Sequence, residues 1–338
     1  MPARSFSLRR ILPRALSVAA ALAAAGAAVV AYLWATLPDP SPLARQNPRT
    51  TALMEQRRGE ARAARRPFRI HQTWVGLDGI SRFLVDAVVL SEDARFFGHE
   101  GFDWEAIREA AEADLKAGRF ARGASTITQQ LAKNLYLGTE KKLSRKVKEA
   151  VLSAKLERTL SKRRILAVYL NVAEWGDGVF GVEAGARHHL GVSAAALSPA
   201  EAAVLASMLP APRRVDLARP SGWLRERSRR LLDRMREAGH IDDPAHLHAA
   251  AELERILAGP APEGDQGGEP PEDEEPVETA GAAGATPEAP SPLPAASPPA
   301  APTPAATPPP TAPTAPAAPE PASHPAPGPP DPAARPDR

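Results

Sequence analysis

The chain has 338 residues, 42 basic and 40 acidic side chains, a formal net charge of +2 and no cysteine, which excludes disulfides and thiol catalysis. Its length admits one or two domains. Residues 260–338 hold 26 of the 38 prolines, no Phe, Trp or Tyr, and 12 acidic against 2 basic side chains. Such a tail buries too little apolar surface to offset its ordering entropy, so it reads as disordered with polyproline-like stiffness. The remaining 1–259 carry 40 basic and 28 acidic residues, a net charge of +12. That balance calls for an anionic partner: lipid headgroups, a phosphorylated substrate or nucleic acid.

Arg4, Arg9, Arg10 and Arg14 precede an uncharged run from Ala15 to Leu37, closed by Pro38. At 1.5 Å per residue this run spans a bilayer core of about 30 Å. Positive charge on one side only keeps the N-terminus cytoplasmic and sends the rest across, which argues against nucleic acid as partner. A cleaved signal peptide is the alternative, but the run is long for one and no small-x-small site follows. Residues 1–14 are thus a cytoplasmic basic tail, 15–37 an anchor, and 38–79 a Pro-rich neck. The neck's Arg57, Arg58, Arg62, Arg65 and Arg66 are placed to meet anionic lipid.

Ile80, Phe83, Leu84, Ala87, Val88 and Leu90 recur at helical spacing and deliver Glu92 to a glycine-containing turn. Asp103 is a good N-cap for the next helix, through Trp104, Ile107, Ala111 and Leu115. Between them, Phe96 and Phe97 read as an exposed pair. Next, Ser125 reads as the N-cap of a helix whose apolar stripe is Ile127, Leu131 and Leu135. Its other face carries Thr126, Gln129, Gln130 and Lys133, more amides and hydroxyls than a purely structural helix needs. Its N-terminus is a candidate anion seat.

Lys141, Lys142, Arg145, Lys146 and Lys148 crowd around Glu149 on a helix capped by Ser144, with Val147 and Val151 inward. Five such cations repel one another unless an anion neutralises them. A further helix runs from Ser161 to Asn171, and the glycines after Trp175 allow a sharp backbone course. His188 and His189 read as surface residues, and no His-Glu-x-x-His pair suggests a tightly held metal. Ser198-Pro199-Ala200-Glu201 is a capping box with Pro at the first helical position. Ser221 starts a helix through Trp223, Leu224, Leu231, Leu232 and Met235 that Gly239 ends. With strand signals nearly absent, the fold reads as all-α.

The arrangement Glu92-Asp93-x-x-Phe96-x-x-His99-x-Gly101-x-Asp103 resembles the first motif of the peptidoglycan glycosyltransferases of family 51. Residues 123–134, Gly-Ala-Ser-Thr-Ile-Thr-Gln-Gln-Leu-Ala-Lys-Asn, resemble its second motif, through Ser125, Thr126, Gln129, Gln130, Lys133 and Asn134; Ala124 stands where Gly is usual. Arg145-Lys146-x-x-Glu149 is similar to the third, and the helix ending at Asn171 to the fourth. The capping box at 198–201 resembles the fifth conserved segment. The lack of a penicillin-binding Ser-x-x-Lys domain points to the monofunctional form.

This resemblance makes 80–259 the glycosyltransferase domain, and implies a lysozyme-like helical lobe with a smaller, membrane-dipping jaw. It implies polymerisation of lipid II at the inner membrane, with lipid II, the nascent glycan, membrane lipids and other wall-synthesis or division proteins as partners. Glu92 would be the general base and Glu149 the second carboxylate. Lys133, Lys141 and Arg145 would grip pyrophosphate, while Ser125, Gln129 and Gln130 position sugar or phosphate. Asp93, Phe96, His99, Gly101, Asp103, Thr126, Asn134, Lys146 and Asn171 would support the motifs. No cofactor is obligatory, though Mg2+ or Mn2+ binds pyrophosphate readily. Glu92 follows an apolar helix, where desolvation raises a carboxyl's pKa, whereas Glu149 sits among cations that keep it ionised. Two rivals remain: a lysozyme-like murein-cleaving enzyme, and a non-catalytic membrane-anchored scaffold for the wall.

Overall fold

The computed structural model describes residues 8–117, 125–138 and 143–258. Lys141 and the 260–338 tail lie outside these residues. Helix α1 (Leu8–Thr36) contains the apolar run. Its Leu16–Thr36 segment is long and apolar enough to cross a membrane, and no part of it is buried in the protein.

The described residues are predominantly helical. α2 is Ala52–Ala63, α3 Arg82–Glu92, α4 Trp104–Ala117 and α5 Ile127–Ala132. α6 is Leu143–Thr159, α7 Lys162–Val172 and α8 Val182–Leu190. α9 is Pro199–Ser207, α10 Gly222–Glu237 and α11 Asp243–Ile256. α9 sits at the centre. Ala200, Ala202, Ala203, Val204, Leu205 and Ala206 are all fully buried, as expected of a helix that is apolar on every side. α3, α8, α10 and α11 pack around it, while α5 is held between α6 and α7.

Several expected helix starts are present. Asp103 Oδ1 accepts the Ala106 N–H at 2.8 Å, Ser198 and Glu201 form the reciprocal capping box, and Ser221 caps α10. Ser144 is not a cap, because Leu143 is already helical. Val147 faces out at 40% exposure while Val151 is buried.

The expected neck belongs largely to the body. Leu53 and Met54 of α2 share a core with Phe180, against which Phe68 and Ile70 pack. β1 (His71–Gln72) pairs parallel with β3 (Val179–Phe180), which pairs antiparallel with β2 (Glu174–Gly176). The packing therefore has no boundary at residue 79. Two of the neck arginines are used internally: Arg57 binds Glu174 and Arg66 binds Asp177, the latter at 2.6 Å. The short connection into β3 requires glycine at 178, where φ is +75° and a Cβ would lie 2.5 Å from the Arg69 carbonyl oxygen. His189 is half-buried rather than on the surface. Its Nε2 meets the Trp175 carbonyl, and burial holds the imidazole below its usual range.

The anchor helix is seated on the body. Lys155 of α6 donates to the carbonyls of Leu37 and Trp34 at 2.8 and 3.1 Å, placing a cation on the carbonyl end of α1. Lys155 and Arg158 both approach the Trp34 ring, at 5.8 and 5.5 Å from its centroid.

Candidate active site

Glu92 is the last residue of α3 and is buried. A buried carboxylate persists only if donors reach it, and here they come from three places. Ser91 Oγ donates to Oε1 at 3.0 Å. Gln130 Nε2 donates to Oε2 at 2.9 Å. The guanidinium of Arg227, from α10, lies 3.5 Å from Oε1. The Gln130 amide is itself oriented, because the Tyr169 hydroxyl donates to its Oε1 at 2.9 Å. Burial, with the nearby charges of Glu92 and Asp93, pushes Tyr169 well above its usual range, so that hydroxyl stays a donor.

Asp93 turns the other way. Its Oδ2 accepts the Ile127 N–H at 3.0 Å, and its carboxylate meets His99 Nε2 at 2.9 and 3.1 Å. The Gly101 N–H donates to His99 Nδ1, which assigns the proton to Nε2. The anion at the start of α5 is thus Asp93, not a ligand. The cap of α5 is Thr126 rather than Ser125: its hydroxyl accepts the Gln129 N–H, and Gln129 Oε1 accepts the Thr126 N–H. Gln129 is buried in that capping box. Thr126 also donates to the Gly101 carbonyl at 2.8 Å. Gly101 has φ of +92°, and a Cβ there would press on Glu157 at 3.1 Å.

Phe96 is fully buried rather than exposed, with the Lys162 ammonium 4.5 Å from its ring centroid. Phe97 is the exposed member of the pair. Arg95 holds Asp103 at 2.8 Å. Burial pushes the Asp103 carboxyl up, but Arg95 and the Ala106 amide outweigh it and hold it below the usual range. Asn171 is fully buried and works as a surrogate peptide. Its Oδ1 accepts the Val75 N–H, and its Nδ2 donates to the Val75 and Ala167 carbonyls.

Glu149, in the second turn of α6, is the other buried carboxylate. Arg145 reaches Oε2 at 2.9 Å and Lys146 reaches Oε1 at 2.7 Å. Lys146 also donates to Ser125 Oγ at 3.1 Å. Gln130 and Lys133 stand three residues apart on α5 and its five-residue, wider C-terminal turn, Lys133–Leu137, and so share a face. Lys133 is half-buried and Asn134 buried. The short α5 therefore links the two carboxylates, through Gln130 to Glu92 and through Ser125 and Lys146 to Glu149.

Both oxygens of Glu149 face cations, Arg145 and Lys146. Among the described residues, no group of three or more His, Asp or Glu converges as metal ligands do.

Arg227 is the site residue that the sequence reading passed over. The signal was present: Leu224, Arg227, Leu231 and Arg234 follow one another on a single stripe of α10, so two cations stand where apolar residues are expected. Burial holds both guanidinium groups below their usual range.

A buried carboxylate with donors on both oxygens is thus linked, through α5 and the residues just before it, to a second carboxylate set among cations. Residues 59–236, more than half of the chain, match the family model described as Transglycosylase, and the chain belongs to that family. A "Biosynthetic peptidoglycan transglycosylase" of Nitrosospira multiformis is 46% identical over 192 residues, covering 57% of this chain and 84% of that one. The protein of the same name from Dechloromonas aromatica is 49% identical over 189 residues, covering 56% and 82%. The Methylobacillus flagellatus protein is 52% identical over 168 residues, covering 50% and 73%.

Proposed function

We propose that this chain is a peptidoglycan transglycosylase that polymerises lipid II into β-1,4-linked glycan with inversion. Glu92 takes the proton from the 4-hydroxyl of the acceptor GlcNAc. That oxygen bonds to C1 of the donor MurNAc as the C1–O bond to undecaprenyl pyrophosphate breaks, and the leaving group departs with the electron pair. Lys133, Lys141 and Arg145 receive the departing anion, with Glu149 orienting Arg145 and Lys146. A Mg2+ or Mn2+ ion arriving with the pyrophosphate would add charge there but is not required by these residues.

The observation that carries this reading is the unequal use of the two Glu92 oxygens. Among the described residues, Oε1 has two side-chain donors and Oε2 has one, Gln130. A carboxylate oxygen has room for about two donors in its plane, which leaves Oε2 with a lone pair for the acceptor hydroxyl. The relatives' names and the cations around the second carboxylate support the same reading. The apolar α1 helix, with arginines on its N-terminal side only, supports a location in the inner membrane with the body outside the cytoplasm. Trp104 and Leu115, three turns apart on α4 and 71% and 85% exposed, suit contact with the bilayer where a lipid-linked substrate resides. Nascent glycan, membrane lipid and other wall-synthesis or division proteins are the expected partners.

The test is incubation of the detergent-solubilised protein with lipid II and, separately, with finished wall. Growth of long glycans from lipid II is expected. Release of fragments from wall would support a murein-cleaving enzyme instead. Neither outcome, with salt-sensitive wall binding, would support a scaffold.

A further inference from the structure

We infer that Arg227 is a positioning residue for the transfer, setting both the orientation and the charge state of Glu92 from α10. This rests on the reading of Glu92 as the base.

Arg227 is a costly residue to keep. Its guanidinium is largely buried, its Nε has no hydrogen-bond partner among the described residues, and its contact with Glu92 is a single approach of 3.5 Å. An arginine kept for stability forms a two-pronged pair with every donor met. This one gives one prong to Oε1 and leaves Oε2 to Gln130 alone. The Trp223 ring, 5.8 Å from the guanidinium carbon, backs it one helical turn earlier. Arg234, two stripe positions later, donates to the Leu90 carbonyl at 2.6 Å, fixing α10 against the end of α3.

The charged and titratable groups around the Glu92 carboxylate are few. Arg227 and, behind it, Arg234 and Arg230 come from α10, and Tyr169 comes from α7. Asp93 follows in the chain and is held by His99. α9, also packed on α3, carries one titratable side chain, Glu201, which is engaged in its own capping box. Arg227 is thus the one cation in contact with Glu92 among the described residues. Without it, no cation among the described residues is in contact with Glu92 to offset its burial and the neighbouring Asp93 carboxylate.

The experiment is the pH profile of kcat/KM for lipid II polymerisation by the full chain, in wild type, Arg227→Gln, Arg227→Lys and Glu92→Gln. Arg227→Gln should move the acidic limb up by about one to two pH units, so that its deficit shrinks as pH rises. Arg227→Lys, which keeps the charge, should hold the limb within about half a unit of wild type. An acidic limb that stays in place in Arg227→Gln, with an equal loss at every pH, would overturn the inference. Glu92→Gln separates the two readings: if it still polymerises, the base assignment fails and this inference with it. If it is inactive while the Arg227→Gln limb is unmoved, only the role of Arg227 fails. A second readout covers the case in which Arg227→Gln does not fold. Glu92→Gln leaves Arg227 opposite a neutral amide and should melt below wild type at pH 8; an equal or higher melting temperature would contradict the pairing.

Discussion

Two buried arginine–carboxylate pairs sit in different parts of this molecule and are built differently. Beside the small sheet, Arg57 grips Glu174 through Nε and a terminal nitrogen at 2.9 and 2.7 Å, and turns its remaining nitrogen to Glu60. At the junction of α3 and α10, Arg227 approaches Glu92 once, at 3.5 Å, with Nε unmet. Both carboxylates are 3% exposed at the side chain, so burial does not distinguish them. Completeness of pairing does. The first pair is closed and ties α2 to the sheet. The second is slack and leaves Oε2 with Gln130 as its one donor among the described residues, so that a lone pair remains there, the condition a proton acceptor needs.

The largest effect that sharpens this contrast is on the closed pair. Arg57→Ala strands a buried carboxylate that is already pushed up by burial against the pull of Arg57. Denaturant unfolding should show a loss of about 3–5 kcal/mol, while the protein that remains folded polymerises at the wild-type rate. A comparable loss of rate would mean that the pair also serves the chemistry.

Arg145→Ala removes one of the two cations on Glu149 and part of the proposed anion grip. Initial rates on lipid II should fall about 10²-fold, as for a missing charge-stabilising donor. Tyr169→Phe removes the hydroxyl that orients Gln130, worth about 1 kcal/mol. The rate should fall several-fold with little change in KM, and an unchanged rate would show that Gln130 holds its orientation unaided.

The smallest effect concerns pH. The folded-state value of Asp103 lies below the usual aspartate range. The stability it contributes is therefore present above about pH 4 and is lost as pH falls through the lowered value. Asp103→Asn keeps the cap of α4 but not the charge. Its stability should decline less steeply than wild type between pH 4 and 2, with a difference at pH 7 of about 1 kcal/mol or less.

Local rules made much of this legible. Asp103, Ser198 and Ser221 are caps because short polar side chains before apolar-periodic runs have one good use there. The misplaced cap at Ser125 was also readable, since Thr126 has Gln129 three residues on, the capping-box spacing, whereas Ser125 has Thr128. What could not be read were the partners far along the chain. Asp93 fills the start of α5 from 34 residues away, and Asn171 replaces a peptide group for Val75 from 96 residues away. The buried Phe96 and the half-buried His189 likewise depend on tertiary neighbours that no local pattern encodes.

The most direct test of the central claim is the rate of glycan growth from lipid II by Glu92→Gln, set beside Glu149→Gln, at a pH where wild type is fully active. Loss of the base should cut the rate of Glu92→Gln about 10²- to 10⁴-fold, with substrate still bound. Glycan growth at near-wild-type rate in Glu92→Gln would contradict the account.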